Sequence, residues 1–378
     1  MNLRRALKVA GWPSSLLHAE KQPVVIDDTQ EFAEALLYGA HVDEILVLKD
    51  GVRKLGQEHA VPPEIMAAAT RERCCRSFLH ALAEETLRSL RGRVYCTADG
   101  TREEYEMKKR ADGSPLDTLL DKRAELERVP PDDRVYLGEI RKRDKYRHSQ
   151  DNRWAKTLLC YDVCDWLGRE RSRAMPYWDR FDEGIFVGGA FAGSPMHVDQ
   201  VLWSNVGKNF TGYKLLAIWK YGEPSRRLFD IHNYKLFVPP LQEEETEALN
   251  VALKIALLGP GDVVVFSGSN AHMAMSISEE LSLTAYESFV NLNPTNLQVF
   301  LDSGTSAHYS QCRTRQPMLD DIRADVTLSA NDLIDDLEDE VLRDEQLVRR
   351  APAGIEVLRH DPAIRSELRE VRAKRQKL

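Results

Sequence analysis

Three residues in two separate segments, His197, Asp199 and His272, constrain the fold of this chain more than any other feature. Side chains alternate between the two faces of a β-strand, so positions 197 and 199 point the same way and Val198 points the other way. One short strand can therefore supply two ligands to a common site. The chain has to fold so that another strand brings His272 to that same face.

Two imidazoles and one carboxylate can hold one face of an octahedral Fe(II) and leave three positions open, which fits a reaction centre better than a structural metal site. We therefore predict His197, Asp199 and His272 as metal ligands and catalytic residues. The sequence ahead of His272 supports this placement, because residues 259–262 (Gly-Pro-Gly-Asp) predict a tight turn and residues 263–266 an apolar strand that ends shortly before the histidine.

A second His-x-Asp sequence, His41-Val42-Asp43, shows that this spacing alone is weak evidence. It lies between a predicted helix end at Gly39 and a strand-like run at 44–48. The turn, strand and histidine that follow the first copy do not follow this one in the same arrangement. We predict His41 to be a surface loop residue.

Several motifs occur in a fixed order between about residue 133 and residue 293. They are Val135-Tyr136-Leu137-Gly138-Glu139, the glycine-bounded run 184–189 leading into Ser194-Pro195-Met196-His197-Val198-Asp199, Thr211-Gly212-Tyr213-Lys214, and the turn at 259–262 with His272. In this order they resemble a JmjC domain, the jelly-roll class of iron- and 2-oxoglutarate-dependent oxygenases. The resemblance covers under half of the chain.

The resemblance implies an α+β protein with a double-stranded β-helix (jelly-roll, JmjC/cupin) core, an N-terminal α/β region and C-terminal helices. We predict an N-terminal mixed helical and strand region at 1–132, a JmjC catalytic domain at 133–300, and a C-terminal helical region at 301–378. Such an N-terminal region often builds the substrate cleft in this family, and C-terminal helices often form a homodimer.

The resemblance also implies 2-oxoglutarate as co-substrate. A 2-oxo acid that chelates iron leaves a second carboxylate, which needs a cation held inside the apolar barrel. The resemblance assigns this role to Lys214, with Tyr136 and Ser194 binding the same carboxylate through their hydroxyls and Asn205 also in the cofactor site. The alternatives are a solvated lysine at a sheet edge, and an ordinary core tyrosine and capped serine.

Metal-bound imidazoles usually donate their second N–H to a fixed acceptor. Asn205, Asn270 and Glu287 are candidates for this supporting role, and the sequence does not choose among them. Glu287 stands at about the place where related enzymes carry Asn or Ser near the co-substrate, so the chain departs from the family pattern on that side of the pocket.

The predicted function is hydroxylation or N-demethylation of a protein or other macromolecule. Hydroxylation is preferred because the sequence contains no chromatin-reader module and no zinc pattern. Two alternatives stay open. One is a cupin-like metalloenzyme that does not use 2-oxoglutarate, in which Lys214 is incidental. The other is a JmjC scaffold protein that has lost catalytic activity.

The bulk composition limits the partners. The 378 residues carry a formal net charge of −8, which argues against an extensive nucleic-acid-binding surface. No run is long enough to span a membrane. The six cysteines form no paired zinc pattern and fit a reducing compartment, so we expect a cytoplasmic or nuclear protein. They are Cys74, Cys75, Cys96, Cys160, Cys164 and Cys312.

Outside the JmjC-like motifs, local signals predict several elements. They are a short amphipathic helix within 1–17, a strand at 23–26, a helix capped by Asp28 and ending at Leu37, one helical stretch over 62–90, an exposed helical hairpin at 101–128, and a helix beginning at 243–245.

Overall fold

The computed structural model describes residues 1–37, 40–55, 61–96, 103–104, 118–127, 134–143, 184–199, 203–220, 223–232 and 234–290. The α-helices in these residues are α1 (Leu3–Ala10), α2 (Thr29–Leu37), α3 (Gly51–Lys54), α4 (Pro63–Arg71), α5 (Cys75–Ala81), α6 (Glu84–Ser89), α7 (Leu119–Leu126), α8 (Glu223–His232) and α9 (Glu243–Asn250). Short 3-10 helices lie at Ser14–Leu17, Ala19–Lys21 and Ala40–Val42.

The strands of the described residues are β1 (Val24–Ile26), β2 (Leu46–Leu48), β3 (Leu90–Cys96), β4 (Glu103–Glu104), β5 (Val135–Lys142), β6 (Gly184–Gly188), β7 (Gly193–His197), β8 (Trp203–Thr211), β9 (Lys214–Trp219), β10 (Lys254–Leu258), β11 (Val263–Ser267), β12 (Ala271–Ser276) and β13 (Ser282–Val290).

These strands form two sheets. The large sheet has the order β1-β2-β11-β8-β13-β6-β5-β3-β4, and the small sheet has the order β10-β9-β12-β7. Strand β1 runs parallel to β2, and the other pairings in both sheets are antiparallel. This confirms the predicted α+β class. The two antiparallel sheets are compatible with a β-sandwich or a jelly-roll.

The two sheets share a buried interior. Leu216 and Ile218 of β9 and Ala274 of β12 belong to the same apolar cluster as Val264 and Phe266 of β11. The two residues on β9 are two positions apart, and so are the two on β11, as the alternation of strand side chains requires. Side chains of the small sheet at positions 214, 216 and 218, and at 272, 274 and 276, therefore point toward the large sheet.

The N-terminal region covers the outer faces. Helix α1 packs its buried side Ala6, Leu7 and Ala10 into the cluster that contains Trp219 and Met273 of the small sheet. Helices α4 to α6 pack over β5, β6 and β13 of the large sheet, and α2 packs over β8 and β11. Burying both faces of each sheet removes a large apolar area from water, which is the main stabilising contribution for such a fold.

Local predictions in the N-terminal region are partly confirmed. Helix α2 begins after Asp28, whose carboxylate accepts a hydrogen bond of 2.9 Å from the N–H of Glu31. The single helical stretch over 62–90 is wrong, because three helices and the start of β3 occupy it. Extended backbone at Glu72 and Leu82 separates the helices. These breaks let all three helices turn buried side chains into one core.

The predicted helical hairpin at 101–128 is wrong in part, since residues Glu103–Glu104 pair with β3. The predicted C-terminal helices, the dimer contact they would form, and Cys160, Cys164 and Cys312 lie outside the described residues. The predicted domain boundaries stay predictions. None of the helices in the described ranges combines the length and apolar character of a membrane-spanning helix.

Candidate metal centre

His197 and His272 meet because their strands are neighbours. Strands β7 and β12 run antiparallel, and His197 lies directly opposite His272 in the register. The centroids of the two imidazole rings are 4.2 Å apart. Asp199 follows the end of β7, and its N–H donates a hydrogen bond of 3.0 Å to the carbonyl of Gly268, which holds it beside the β11–β12 turn.

The three side chains form one cluster. His197 Nε2 lies 3.5 Å from Asp199 Oδ1, and His272 Nε2 lies 3.3 Å from Asp199 Oδ2. One ligand atom from each residue lies within 4.8 Å of the other two, so the cluster could hold a metal ion. The structure thus brings together the three residues that the sequence predicted as ligands.

The imidazole orientations suit metal binding. His197 Nδ1 lies 2.7 Å from the carbonyl oxygen of Pro195, and His272 Nδ1 lies 2.9 Å from that of Asn270. A carbonyl oxygen can only accept, so in the neutral rings Nδ1 carries the proton. The lone pair of each Nε2 is then directed toward the carboxylate and can coordinate a metal.

Asn205 supports the carboxylate and is the predicted cofactor residue that lies nearest the cluster. Its Nδ2 donates a hydrogen bond of 2.6 Å to Asp199 Oδ2. Burial by itself raises the pKa of Asp199, but the charges of His272 and His197 and the hydrogen bonds from His272 and Asn205 hold that pKa well below its ordinary value. Asp199 therefore stays ionised and available as a ligand.

We expect Asn205→Ala to weaken metal binding by roughly 10- to 100-fold, because residues that orient a ligand typically contribute this much. Titrating the metal-free protein with Co(II) and following its visible absorption measures the affinity. The exposed Asn250, whose amide oxygen accepts from Ser15, provides a matched control in Asn250→Ala. Equal Co(II) affinity in Asn205→Ala and the parent would contradict the role of Asn205.

Asn270 connects the cluster to the N-terminal region. Its main-chain carbonyl accepts from His272, and its side-chain Nδ2 donates a hydrogen bond of 2.8 Å to the carbonyl of Val42. Of the candidates for orienting the imidazoles, Asn270 takes this role through its backbone and Asn205 supports the carboxylate instead. The side chain of Glu287 lies outside the described residues, so its predicted effect on the pocket stays a prediction.

The prediction that His41 lies on the surface is wrong. His41 is fully buried, and its Nε2 lies 2.7 Å from Ser204 Oγ on β8. Burial lowers its pKa to about 4, so the ring is neutral at pH 7. The reason is tertiary: the 3-10 helix Ala40–Val42 packs against β11 and carries the ring into the gap beside β8.

Lys214 is a buried cation. It is fully buried at the start of β9, and its Nζ donates a hydrogen bond of 2.8 Å to Thr284 Oγ1. The same Nζ lies 5.9 Å from the ring centroid of Tyr136 and 5.7 Å from that of Tyr286. Within the described ranges it forms no ion pair with a carboxylate, and burial lowers its pKa to about 7. The alternative of a solvated edge lysine does not fit this position.

Two other predicted cofactor residues, Tyr136 and Ser194, lie near Lys214. Ser194 Oγ donates a hydrogen bond of 3.2 Å to the hydroxyl of Tyr136, which is buried. Thr284 was not among the predicted site residues; it donates from Oγ1 to Asn209 Oδ1 over 2.9 Å and accepts from Lys214. The alternation of side chains along β13 was a usable signal, because Thr284 and Tyr286 share one face of that strand.

Lys214 and the His-Asp-His cluster lie on the same face of the small sheet. In the β9–β12 register His272 is opposite Ile218, and Lys214 is opposite Ser276. The two positions are four residues apart on one face, so roughly 13 Å separates their backbones. Both side chains extend into the interior between the two sheets.

Comparisons with known proteins add little. No protein-family model matches the chain, and no curated protein matches it. Among solved structures the chain is similar to one titled "X-Ray structure of E. coli ycfD", with 14% sequence identity and a TM-score of 0.35. The match covers 82% of this chain and 69% of that one.

Proposed function

We propose that this chain is an Fe(II)- and 2-oxoglutarate-dependent dioxygenase with a jelly-roll core, and that it hydroxylates a protein or other macromolecule, with N-demethylation as the alternative outcome. One observation carries the proposal. A His-Asp-His cluster and a buried lysine without a carboxylate partner in the described residues lie on the same inward face of the small sheet.

The strand order supports a jelly-roll. Going along the chain, β6 is in the large sheet, β7 in the small sheet and β8 in the large sheet; β9 and β10 are both in the small sheet, and β11, β12 and β13 then alternate again. This back-and-forth path between two sheets is the pattern of a double-sheet jelly-roll. It places the ligand-bearing strands β7 and β12 side by side within the small sheet.

The donor set supports iron. Two imidazole nitrogens and one carboxylate oxygen on one side of an ion match the facial triad of non-haem Fe(II) oxygenases, with further positions open to other ligands. The residues that would hold the metal are His197, Asp199 and His272. When bound there, a ferrous ion supplies the activation of dioxygen, with conversion of 2-oxoglutarate to succinate and carbon dioxide and transfer of one oxygen atom to a substrate C–H bond.

The polar groups around Lys214 support a dicarboxylate co-substrate. A buried cation is costly unless a counter-charge compensates it, and Lys214 lacks one in the described part of the chain. Buried hydroxyls of Ser276, Ser282 and Tyr286 also have no hydrogen-bond partner there. A carboxylate beside Lys214 would compensate the ammonium group and accept from hydroxyls, while a 2-oxo acid group could reach the metal.

The remaining residues of the site orient the metal ligands and limit the access of water. Asn205 keeps the carboxylate of Asp199 in one orientation, and the carbonyls of Pro195 and Asn270 keep the two imidazoles in the metal-binding tautomer. Phe266 packs edge-on against His272 with ring centroids 4.9 Å apart. This apolar contact limits the access of water on that side.

Anaerobic titration with Fe(II) and then 2-oxoglutarate tests the function directly. We expect a weak visible charge-transfer band that needs both additions and is lost in His272→Ala. If the protein binds Fe(II) but shows no band and no 2-oxoglutarate consumption, a cupin-like metalloenzyme of another class replaces the proposal. If folded protein binds neither compound, an inactive scaffold replaces it.

The pKa of Lys214 makes 2-oxoglutarate binding dependent on pH. Burial lowers that pKa to about 7, so the lysine of the ligand-free protein loses its charge as the pH rises through 7. The carboxylate binds the charged form, so affinity should fall up to about tenfold per pH unit above 7, until the higher pKa of the complex is reached. Calorimetric titration from pH 6 to pH 9 measures this. In that range a constant affinity would contradict an ion pair with Lys214.

A further inference from the structure

Two of the buried hydroxyls that have no hydrogen-bond partner in the described part of the chain lie near Lys214. They belong to Ser276, which is fully buried on β12, and Tyr286 on β13. An unpaired hydroxyl in a protein interior costs free energy, so such a group in a native fold calls for an explanation. One explanation is a ligand at this place that accepts hydrogen bonds from these hydroxyls.

Ser276 lies next to the lysine. It is the register partner of Lys214 on the neighbouring strand, so both side chains start from the same place on the same face. A Cβ atom built on Gly188 of the facing sheet would lie 3.4 Å from Ser276 Oγ and 2.8 Å from the ring of Tyr136. The glycine therefore lets the Tyr136 ring and the Ser276 hydroxyl both lie close to the backbone of β6.

Tyr286 approaches the same space from the large sheet. Its ring centroid lies 5.7 Å from Lys214 Nζ, and the ring packs edge-on against Phe186 with centroids 5.6 Å apart. A Cβ atom at Gly207, its register partner on β8, would lie 2.6 Å from Tyr286 Cε1. The ring thus occupies space that only glycine leaves free, and its contacts with Gly207 and Phe186 fix its position.

The hydroxyl of Tyr286 keeps its proton at neutral pH. Burial raises its pKa, and the negative charge of Asp199 raises that pKa further. The phenol is therefore a hydrogen-bond donor across the working range of an enzyme, and the carboxylate of the metal cluster is near enough to act on it.

We propose that Ser276 and Tyr286 bind 2-oxoglutarate directly, each donating a hydrogen bond to an oxygen of the co-substrate between Lys214 and the His-Asp-His cluster. This rests on the proposed function and adds residues of this chain to those that the sequence predicted. The chemistry they recognise is an acid with acceptor oxygens along its length, held at one end by the ammonium group.

Calorimetric titration of 2-oxoglutarate into the Ni(II)-loaded protein tests this without turnover. Ser276→Ala and Tyr286→Phe each remove one hydroxyl and should each lower the affinity by about 10- to 100-fold, the effect of one hydrogen bond to a charged group. Because those hydroxyls are unpaired in the ligand-free protein, its melting temperature should stay the same or rise. A structural role would instead lower it.

Two control variants remove hydroxyls that already have partners. Tyr95 donates to Glu139 Oε1 over 3.3 Å, and Ser278 Oγ accepts from the N–H of Tyr213 over 2.9 Å. Tyr95→Phe and Ser278→Ala should keep the 2-oxoglutarate affinity of the parent.

If the parent binds 2-oxoglutarate and the variants Ser276→Ala and Tyr286→Phe bind it equally well, this inference is overturned and the proposed function stands. If the Ni(II)-loaded parent itself does not bind 2-oxoglutarate, the proposed function fails and the inference fails with it.

Discussion

Asp199→Ala is expected to abolish metal binding and to lower the rate of substrate oxidation at least about 10³-fold, since a catalytic metal contributes several kcal/mol to transition-state stabilisation. The reason is geometric. Asp199 lies within 3.5 Å of both imidazoles and is the only carboxylate of the cluster found in the described residues. Without it two nitrogen ligands remain, which is too few to retain Fe(II). Metal content after dialysis and succinate release measure the two effects.

The chain supplies a matched control in its second His-x-Asp sequence. Asp43 is about half exposed and forms an ion pair of 3.2 Å with Lys220, away from the cluster. Asp43→Ala should keep both metal content and activity. Retention of stoichiometric iron by Asp199→Ala, with the protein folded by circular dichroism, would show that the metal lies elsewhere.

Lys214→Met is expected to separate stability from function. The variant should lose about 10²-fold or more of the affinity for 2-oxoglutarate, because the buried carboxylate of the ligand would have no counter-charge. Its ligand-free form should be more stable than the parent by about 2–4 kcal/mol at pH 7, since Met fills a similar volume without a charge to desolvate. Calorimetric titration and urea unfolding measure these effects.

The stability difference should depend on pH with a definite sign. The pKa of Lys214 is lowered from 10.5 to about 7 in the folded protein, so between these values the unfolded state binds more protons. The stability of the parent therefore rises with pH across this range. The advantage of Lys214→Met should be full below pH 7 and vanish as the pH approaches 10.5.

Lys220→Met, at an exposed lysine just after the same strand, is the control for Lys214→Met and should change neither quantity strongly. Unchanged 2-oxoglutarate affinity in Lys214→Met would remove the basis of the co-substrate site. In that outcome the cupin-like alternative without 2-oxoglutarate gains support, provided that metal-dependent activity persists.

Structural features that depend on short-range rules could be predicted from the sequence. The two-residue period of a strand predicts that His197 and Asp199 share a face, and the structure places both in the cluster. The glycines at 259 and 261 predict a turn, and Gly261 has a positive φ of 88°. Asp28 predicts the start of α2 because an N-cap acts within one helical turn.

Contacts between residues far apart in the chain could not be predicted from the sequence. The residues next to His41 in the sequence predict an exposed loop, yet its imidazole forms a hydrogen bond with Ser204, which is 163 positions away. Asn270 bonds to Val42 over a separation of 228 positions. No local pattern encodes such contacts, so neither the burial of His41 nor the different roles of Asn205 and Asn270 could be predicted.

The amino-acid sequence by itself determined which residue types can bind a metal, which strands carry them and on which face they lie, because these properties follow from chemistry and from the period of a strand. Only the tertiary structure decided that His197 lies opposite His272, that Lys214 is buried without a carboxylate partner in the described ranges, and that Ser276 and Tyr286 lie beside it. These contacts depend on the pairing of distant strands, which is set by burying both sheets at once rather than by any local segment.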